Sequence, residues 1–241
     1  MVRRKMSPEE RKNQIITTSL ELFKDKGYED TPVSSIIEEA GISKGGFYHH
    51  YKSKEELLED IAALFVDQVL GLIRKIVQRE ELSALEKLNS HIREVNALKK
   101  EKSAEVFIYL AELYAGGKNL QLERLIFDCG REKLAPLIKE IIEQGWREGD
   151  FKTDYPEEAA EIYVRLFLIH QREISELMVR ALETRDREKF QEIMNRVLRK
   201  YSFLQKVLED VLGLPGGSLV LEEVARDTIT YLGRQVFPDL E

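Results

Sequence analysis

Cysteine is nearly absent from this chain. Cys129 stands alone, which excludes an intrachain disulfide and any metal site built from several cysteines, and fits a reducing compartment. Proline and glycine are also sparse, 6 and 14 among 241 residues. That is too few for an all-β fold of many tight turns or for a disordered linker protein. Long apolar runs are missing as well. The longest, Ile61–Val66, has six residues, whereas a membrane-spanning helix needs about 20. The opening Met1-Val2-Arg3-Arg4-Lys5-Met6 is basic but lacks the apolar stretch of a secretory signal. These absences predict a soluble, cytoplasmic protein with no membrane partner. Positive charge is in deficit too, with a formal net charge of −7, which taken whole disfavours a nucleic-acid partner. The deficit is uneven: residues 1–54 hold ten Lys/Arg against eight Asp/Glu, so the rest of the chain sums to −9.

Charged residues make up 34% and hydrophobic ones 43%, a folding composition, and helical periodicity dominates. Ser7-Pro8-Glu9-Glu10 supplies an N-cap, a proline at the first helical position and a closing glutamate. Ile15, Ile16, Ser19, Leu20, Leu22 and Phe23 then line one face, and Gly27 stops the helix. Thr31-Pro32 begins a short second helix with Val33, Ile36, Ile37 and Ala40 inward. Ser43 caps a third, and Ser53-Lys54-Glu55-Glu56 is a capping box opening a long fourth one through Leu57, Ile61, Leu64, Phe65, Val69, Leu72, Ile73 and Ile76. Further helices are predicted over 83–100, 103–115, 119–147 (with breaks at Gly130 or Pro136), 156–182, 187–212 and 219–236. The fold class is all-α.

Two short helices joined at Gly41 have the helix-turn-helix pattern over residues 33–52, with Ile36, Ala40, Ile42 and Phe47 pinning them together. Exposed on the second helix are Ser43, Lys44, Gly45, Gly46, Tyr48, His49 and His50. Adjacent glycines cost a helix about 1 kcal/mol each relative to alanine. A segment whose backbone must approach another surface closely has a use for them. The same arrangement also occurs as a plain corner in helical proteins.

The stretch Gly27-Tyr28 … Thr31 … Ile36 … Ala40-Gly41-Ile42-Ser43-Lys44-Gly45-Gly46-Phe47-Tyr48-His49-His50-Tyr51-Lys52-Ser53-Lys54-Glu55-Glu56-Leu57-Leu58 resembles the N-terminal domain of the tetracycline-repressor (TetR) family of transcriptional regulators. The resemblance covers about residues 8–70, leaving 71–241 as a helical ligand-binding and dimerisation domain. It implies phosphate contacts from Thr31, Ser34 and Ser35, and major-groove entry by Lys44, Gly45 and Gly46. It also implies backbone contacts from Tyr48, His49, His50 and Lys54. Arg3, Arg4 and Lys5 read equally as an arm reaching DNA or as a solvated tail. Two positions depart from the family pattern. Ile37 stands where a small alanine is usual, and Tyr51 replaces phenylalanine, adding a hydroxyl that needs a partner or solvent.

The resemblance further implies a homodimeric repressor that a small-molecule inducer releases from near-palindromic double-stranded operator DNA. Ile162, Leu166, Ile169, Ile174 and Leu177 on one long helix, and Phe190, Ile193, Val197, Leu204, Val207, Leu208 and Val211 on the next, form apolar faces. They read either as a four-helix interface or as internal core. Aromatic and polar residues of the middle helices are the pocket candidates: Phe65, His91, Phe107, Tyr109 and Tyr114. Phe127, Trp146, Tyr163, Phe167, His170 and Gln171 complete the set, and each reads also as plain core. The apolar balance favours a largely apolar inducer.

The rival classes are a helical-bundle enzyme and a protein-binding adaptor. Di-iron chemistry needs Glu-x-x-His pairs, but the residues three before the four histidines are Gly46, Phe47, Leu88 and Phe167. No nucleophile elbow or phosphate-binding P-loop occurs, and Cys129 has no evident base. Nothing implies an enzyme, a cofactor or a metal. The glycine-bearing cationic segment speaks against the adaptor.

Overall fold

The computed structural model describes residues 6–98 and 118–237. Predicted features at Arg3–Lys5, the helix at 103–115 and the candidates Phe107, Tyr109 and Tyr114 lie outside them. The described helices are α1 (Pro8–Lys26), α2 (Val33–Glu39), α3 (Lys44–His50), α4 (Lys54–Val77) and α5 (Ala84–Leu98). Then come α6 (Leu120–Glu148), α7 (Pro156–Glu183), α8 (Arg187–Leu212) and α9 (Leu221–Val236), with no strand among the described residues. No described helix is long and apolar enough to cross a membrane.

The chain divides into two compact units, residues 1–65 with 113–126, and 66–112 with 127–241. The first is built on α1, α2, α3 and the start of α4. At the head of α1 the capping box is complete: Glu10 N donates to Ser7 Oγ at 3.1 Å and Ser7 N to Glu10 Oε2 at 2.7 Å. Ile15, Phe23, Ile36, Phe47, Leu57 and Leu58 are fully enclosed. At Ser53 the expected box differs. Ser53 Oγ accepts from Glu56 N at 3.2 Å, but Glu56 reaches one residue further back, to Lys52 N at 2.6 Å.

A cut near residue 70 leaves out 118–126, which the first unit includes. Asn119 shows why. Its amide donates to Phe23 O at 3.2 Å, and its Oδ1 accepts from Tyr28 N at 2.9 Å, so it caps the C-terminal end of α1. A Cβ on Gly27, whose φ is +89°, would stand 3.1 Å from Lys118 Cβ and O.

In the second unit α8 packs between α7 and α9, over a core that includes Leu88, Ile92, Ile138, Ile142, Phe151 and Met194. Helix α6 runs unbroken past Gly130 and Pro136, against the expected break. Burial of Leu134, Ile138, Ile141 and Ile142 offsets the hydrogen bond that proline removes. At Gly130 a Cβ would meet Leu168 at 3.2 Å, so glycine there serves close packing on α7 rather than a stop. At Gly145 a Cβ would overlap the Phe151 ring at 2.4 Å. Lys87 is buried and donates to Val77 O at 2.9 Å and Gln144 Oε1 at 2.8 Å, closing the end of α4.

The apolar faces expected on α7 and α8 divide between two roles. Ile174, Leu177, Phe190, Val197, Leu204 and Leu208 are enclosed in the unit's own core. Ile162 and Ile169 remain 42% and 47% exposed, and Phe203, outside the apolar faces expected from spacing, is 71% exposed.

Candidate nucleic-acid interface

The corner between α2 and α3 is held from inside. Gly41 takes φ +60°, a left-handed turn that side chains disfavour. Gln14 of α1 donates to Ala40 O at 3.0 Å, tying the end of α2 to α1. Phe47 is fully buried, with Tyr48 and Tyr51 packed against its ring at centroid distances of 5.4 and 6.1 Å. Ile42, expected to pin the corner, is only half-buried. The hydroxyl on Tyr51 has its partner: it donates to Asp60 Oδ2 at 2.7 Å, while Lys12 pairs with Asp60 at 2.9 Å. Burial first, then the hydrogen bond to Asp60, drives the Tyr51 phenol well above its ordinary range.

With Phe47 inward, α3 turns Lys44, Gly45, Tyr48 and His49 to solvent. Lys44 and Tyr48, like Gly45 and His49, are four residues apart, so they form two adjacent stripes on one face. Seven helical residues give a rod about 10 Å long, which suits a major groove about 12 Å wide. The two glycines differ. A Cβ on Gly46 would stand 3.3 Å from Ser43 Oγ, the N-cap that accepts from Gly46 N at 3.0 Å. A Cβ on Gly45 would meet nothing within 4 Å. Packing inside the chain explains the first glycine and gives no reason for the second.

The phosphate candidates are not all available. Ser34 is exposed and Ser35 half-buried on the first turn of α2. Thr31, however, is fully buried, and its hydroxyl donates to Gly27 O at 2.7 Å. Its side chain is a strut of the α1–α2 loop and cannot reach a phosphate. Lys54 is also committed inward. Its ammonium donates to Tyr28 O at 2.8 Å and Thr31 O at 3.1 Å, and lies 4.0 Å from the centre of the Tyr28 ring. The two histidine rings meet edge to face at 5.2 Å. Desolvation first, then the charges of His49, Arg11 and Lys12, holds His50 below the usual imidazole range. Arg11 and Lys12 of α1 thus add positive charge beside α3. Sequence spacing does not reveal them, because α1 and α3 meet only in the fold.

Of the inducer candidates in the second unit, three come together. His91 Nδ1 lies 3.1 Å from the Tyr163 hydroxyl, and the His91 and Phe167 rings are 4.9 Å apart. All three are buried, and burial pushes His91 down to about 4. His170 lies elsewhere, edge-on to Tyr201 at 4.9 Å. Gln171 hydrogen-bonds Tyr201, whose phenol burial pushes up to about 12. Phe127 is half-buried. Trp146 is 53% exposed on the last turn of α6 and lines no interior. Phe65, half-buried, belongs to the first unit.

Residues 15–61 match the model of the bacterial regulatory proteins of the tetR family. The HTH-type transcriptional repressor KstR2 of Rhodococcus jostii is 30% identical over 160 residues, which cover 64% of this chain and 74% of that one. KstR2 of Mycolicibacterium smegmatis is 27% identical over 147 residues, 61% and 70% of the two chains. In fold the chain is similar to Salmonella enterica GusR, with a TM-score of 0.59 at 17% identity over 88% of this chain and all of that one. It is also similar to a tetR-family regulatory protein from Rhodococcus RHA1, with a TM-score of 0.52 at 22% identity over 85% and 98% of the two chains. Together the helix-turn-helix geometry and these likenesses place the chain in the tetR family of DNA-binding transcriptional regulators.

Proposed function

We propose that this protein is a repressor that holds a near-palindromic operator as a homodimer and leaves it when a small molecule binds the second unit. The observation that carries the reading is Gly45, a helical glycine with open space where its Cβ would be, beside exposed Lys44, Tyr48 and His49. Its freedom from internal packing is accounted for by close approach to a base edge. Lys44 donates to guanine or phosphate, and Tyr48, His49, His50, Ser34 and Ser35 hold the backbone. The KstR2 relatives bear the name of repressors, which supports the sign of regulation.

In this reading Ile162, Ile169 and Phe203 supply the apolar contacts of a dimer built from α7 and α8 of each copy. Two α3 helices then read half-sites about 34–36 Å apart. Helix α4 begins in the first unit and ends in the second, so it is the lever. The His91–Tyr163–Phe167 cluster orients a largely apolar inducer in the cytoplasm. An inducer preferring one setting of α4 by about 100-fold supplies about 2.7 kcal/mol of coupling. A gel-shift titration with the DNA upstream of the protein's own gene tests the proposal. Saturable binding that survives competitor DNA is expected. Association that is only nonspecific and salt-sensitive would overturn it.

A further inference from the structure

Across the second unit, many surface cations have carboxylates within reach. Arg79 pairs with Glu94 at 2.6 Å, Lys133 with Asp67 at 2.9 Å, Lys139 with Glu157 at 2.9 Å and Arg226 with Glu222 at 2.6 Å. The turn between α7 and α8 departs from this pattern. A cleft of about 630 Å³ there is lined by Arg180, Arg185, Lys189, Arg196 and Arg199. None of these five side chains makes an ion pair or hydrogen bond among the described residues. Glu183 and Glu192 also line it, so five cations less two carboxylates leave a formal +3. That charge stands out in a body, residues 55–241, that sums to −9.

The cations are set at helical spacing. Lys189, Arg196 and Arg199 share one face of α8, and Arg180 lies one turn beyond Leu177 on α7. Arg196 and Arg199, three residues apart, repel one another when nothing lies between them. An anion in the cleft relieves that repulsion. Four of the five are arginines, whose planar forks match phosphate and carboxylate oxygens two at a time. Leu177 and Ile193 add apolar lining for a carbon skeleton. The volume lies in the range of small-molecule sites, about 300–1,000 Å³.

The geometry points to a site for a small organic polyanion, one carrying clustered phosphate or carboxylate oxygens, seated between α7 and α8. It is separate from the His91–Tyr163–Phe167 cluster, because ten residues of α7 between Phe167 and Leu177 span about 15 Å. The interposed Glu183 and Glu192 suit a compact anion rather than the continuous phosphate track of a duplex.

Calorimetric titration of the full chain with ADP, pyrophosphate and citrate tests this. Binding of at least one with a Kd below about 1 mM is expected, and the ranking separates phosphate from carboxylate ligands. The Arg196→Ala/Arg199→Ala variant is expected to weaken that binding about tenfold or more. The Lys206→Ala/Arg226→Ala variant, which removes the same charge from paired positions, is expected to keep it. No binding by any probe would overturn the site, as would equal losses in both variants. Loss of the dimer in the first variant, seen by sedimentation, would assign the arginines to the subunit contact instead. Tighter binding of an unrelated DNA duplex that the first variant abolishes would make the cleft a nucleic-acid surface, and would likewise overturn the proposal.

Discussion

Replacing Gly45 with alanine separates folding from DNA reading more cleanly than any other change in α3. The position has helical backbone and negative φ, so alanine fits without strain. Its Cβ meets no atom within 4 Å, so no steric cost opposes the substitution. Restricting the unfolded chain then stabilises the fold by about 0.4–1 kcal/mol. For a chain of this size that raises Tm by about 1–4 °C. At the operator the sign reverses. A methyl group intruding where backbone meets a base edge is expected to cost about 1–3 kcal/mol, roughly a 5- to 150-fold loss of affinity. Thermal unfolding and fluorescence anisotropy on a labelled operator measure the two effects on one sample. Unchanged operator affinity would refute the claim that Gly45 is kept for DNA, and a lowered Tm would refute the claim that packing leaves it free. Gly46→Ala is the internal contrast, since its Cβ crowds the Ser43 cap and is expected to lower stability.

Lys54→Met removes an ammonium that holds Tyr28 O and Thr31 O, and is expected to cost about 1–3 kcal/mol in urea unfolding; unchanged stability with a shallower salt dependence of DNA binding would make Lys54 a phosphate contact after all. His91, lowered by burial to about 4 from an unfolded value of about 6.5, binds fewer protons folded than unfolded between those values. Stability therefore falls as pH drops from about 6.5 towards 4, by about 3 kcal/mol in all. In urea titrations His91→Gln is expected to lose that part of the pH dependence, and an identical profile would exclude it. The Ile169→Asp/Phe203→Asp variant is expected to be monomeric in sedimentation and about 100-fold weaker on a full operator, with its helical circular dichroism intact; a dimer that persists would place the interface elsewhere.

Much of the architecture was legible in local chemistry. The Ser7–Glu10 box, the positive φ at Gly41, the Ser43 cap and the limits of α8 all follow from residues that act on neighbours within one or two turns. Helix type and helix ends are set by such short-range bonds. In the candidate site, the exposure of Lys44, Gly45 and Tyr48 was legible, because a short helix that buries Phe47 turns them to solvent. Not legible was where a polar group finds a partner distant in sequence. Thr31 and Lys54 look like phosphate ligands in a string of letters, yet the Thr31 hydroxyl is spent on Gly27 O and two of the three Lys54 N–H groups go to Tyr28 O and Thr31 O. Trp146 looks like a pocket residue, yet it lies on the outer face of α6.

What the sequence by itself determined is the helical class, the corner at residues 33–52 and the family, because periodicity, caps and turn residues are local. Only the tertiary structure decided that Asn119 finishes α1, that Arg11 and Lys12 lend charge to His50, and that five cations with no partner among the described residues gather around one cleft. Those facts depend on which distant groups packing brings together, and no residue records that in its near neighbours.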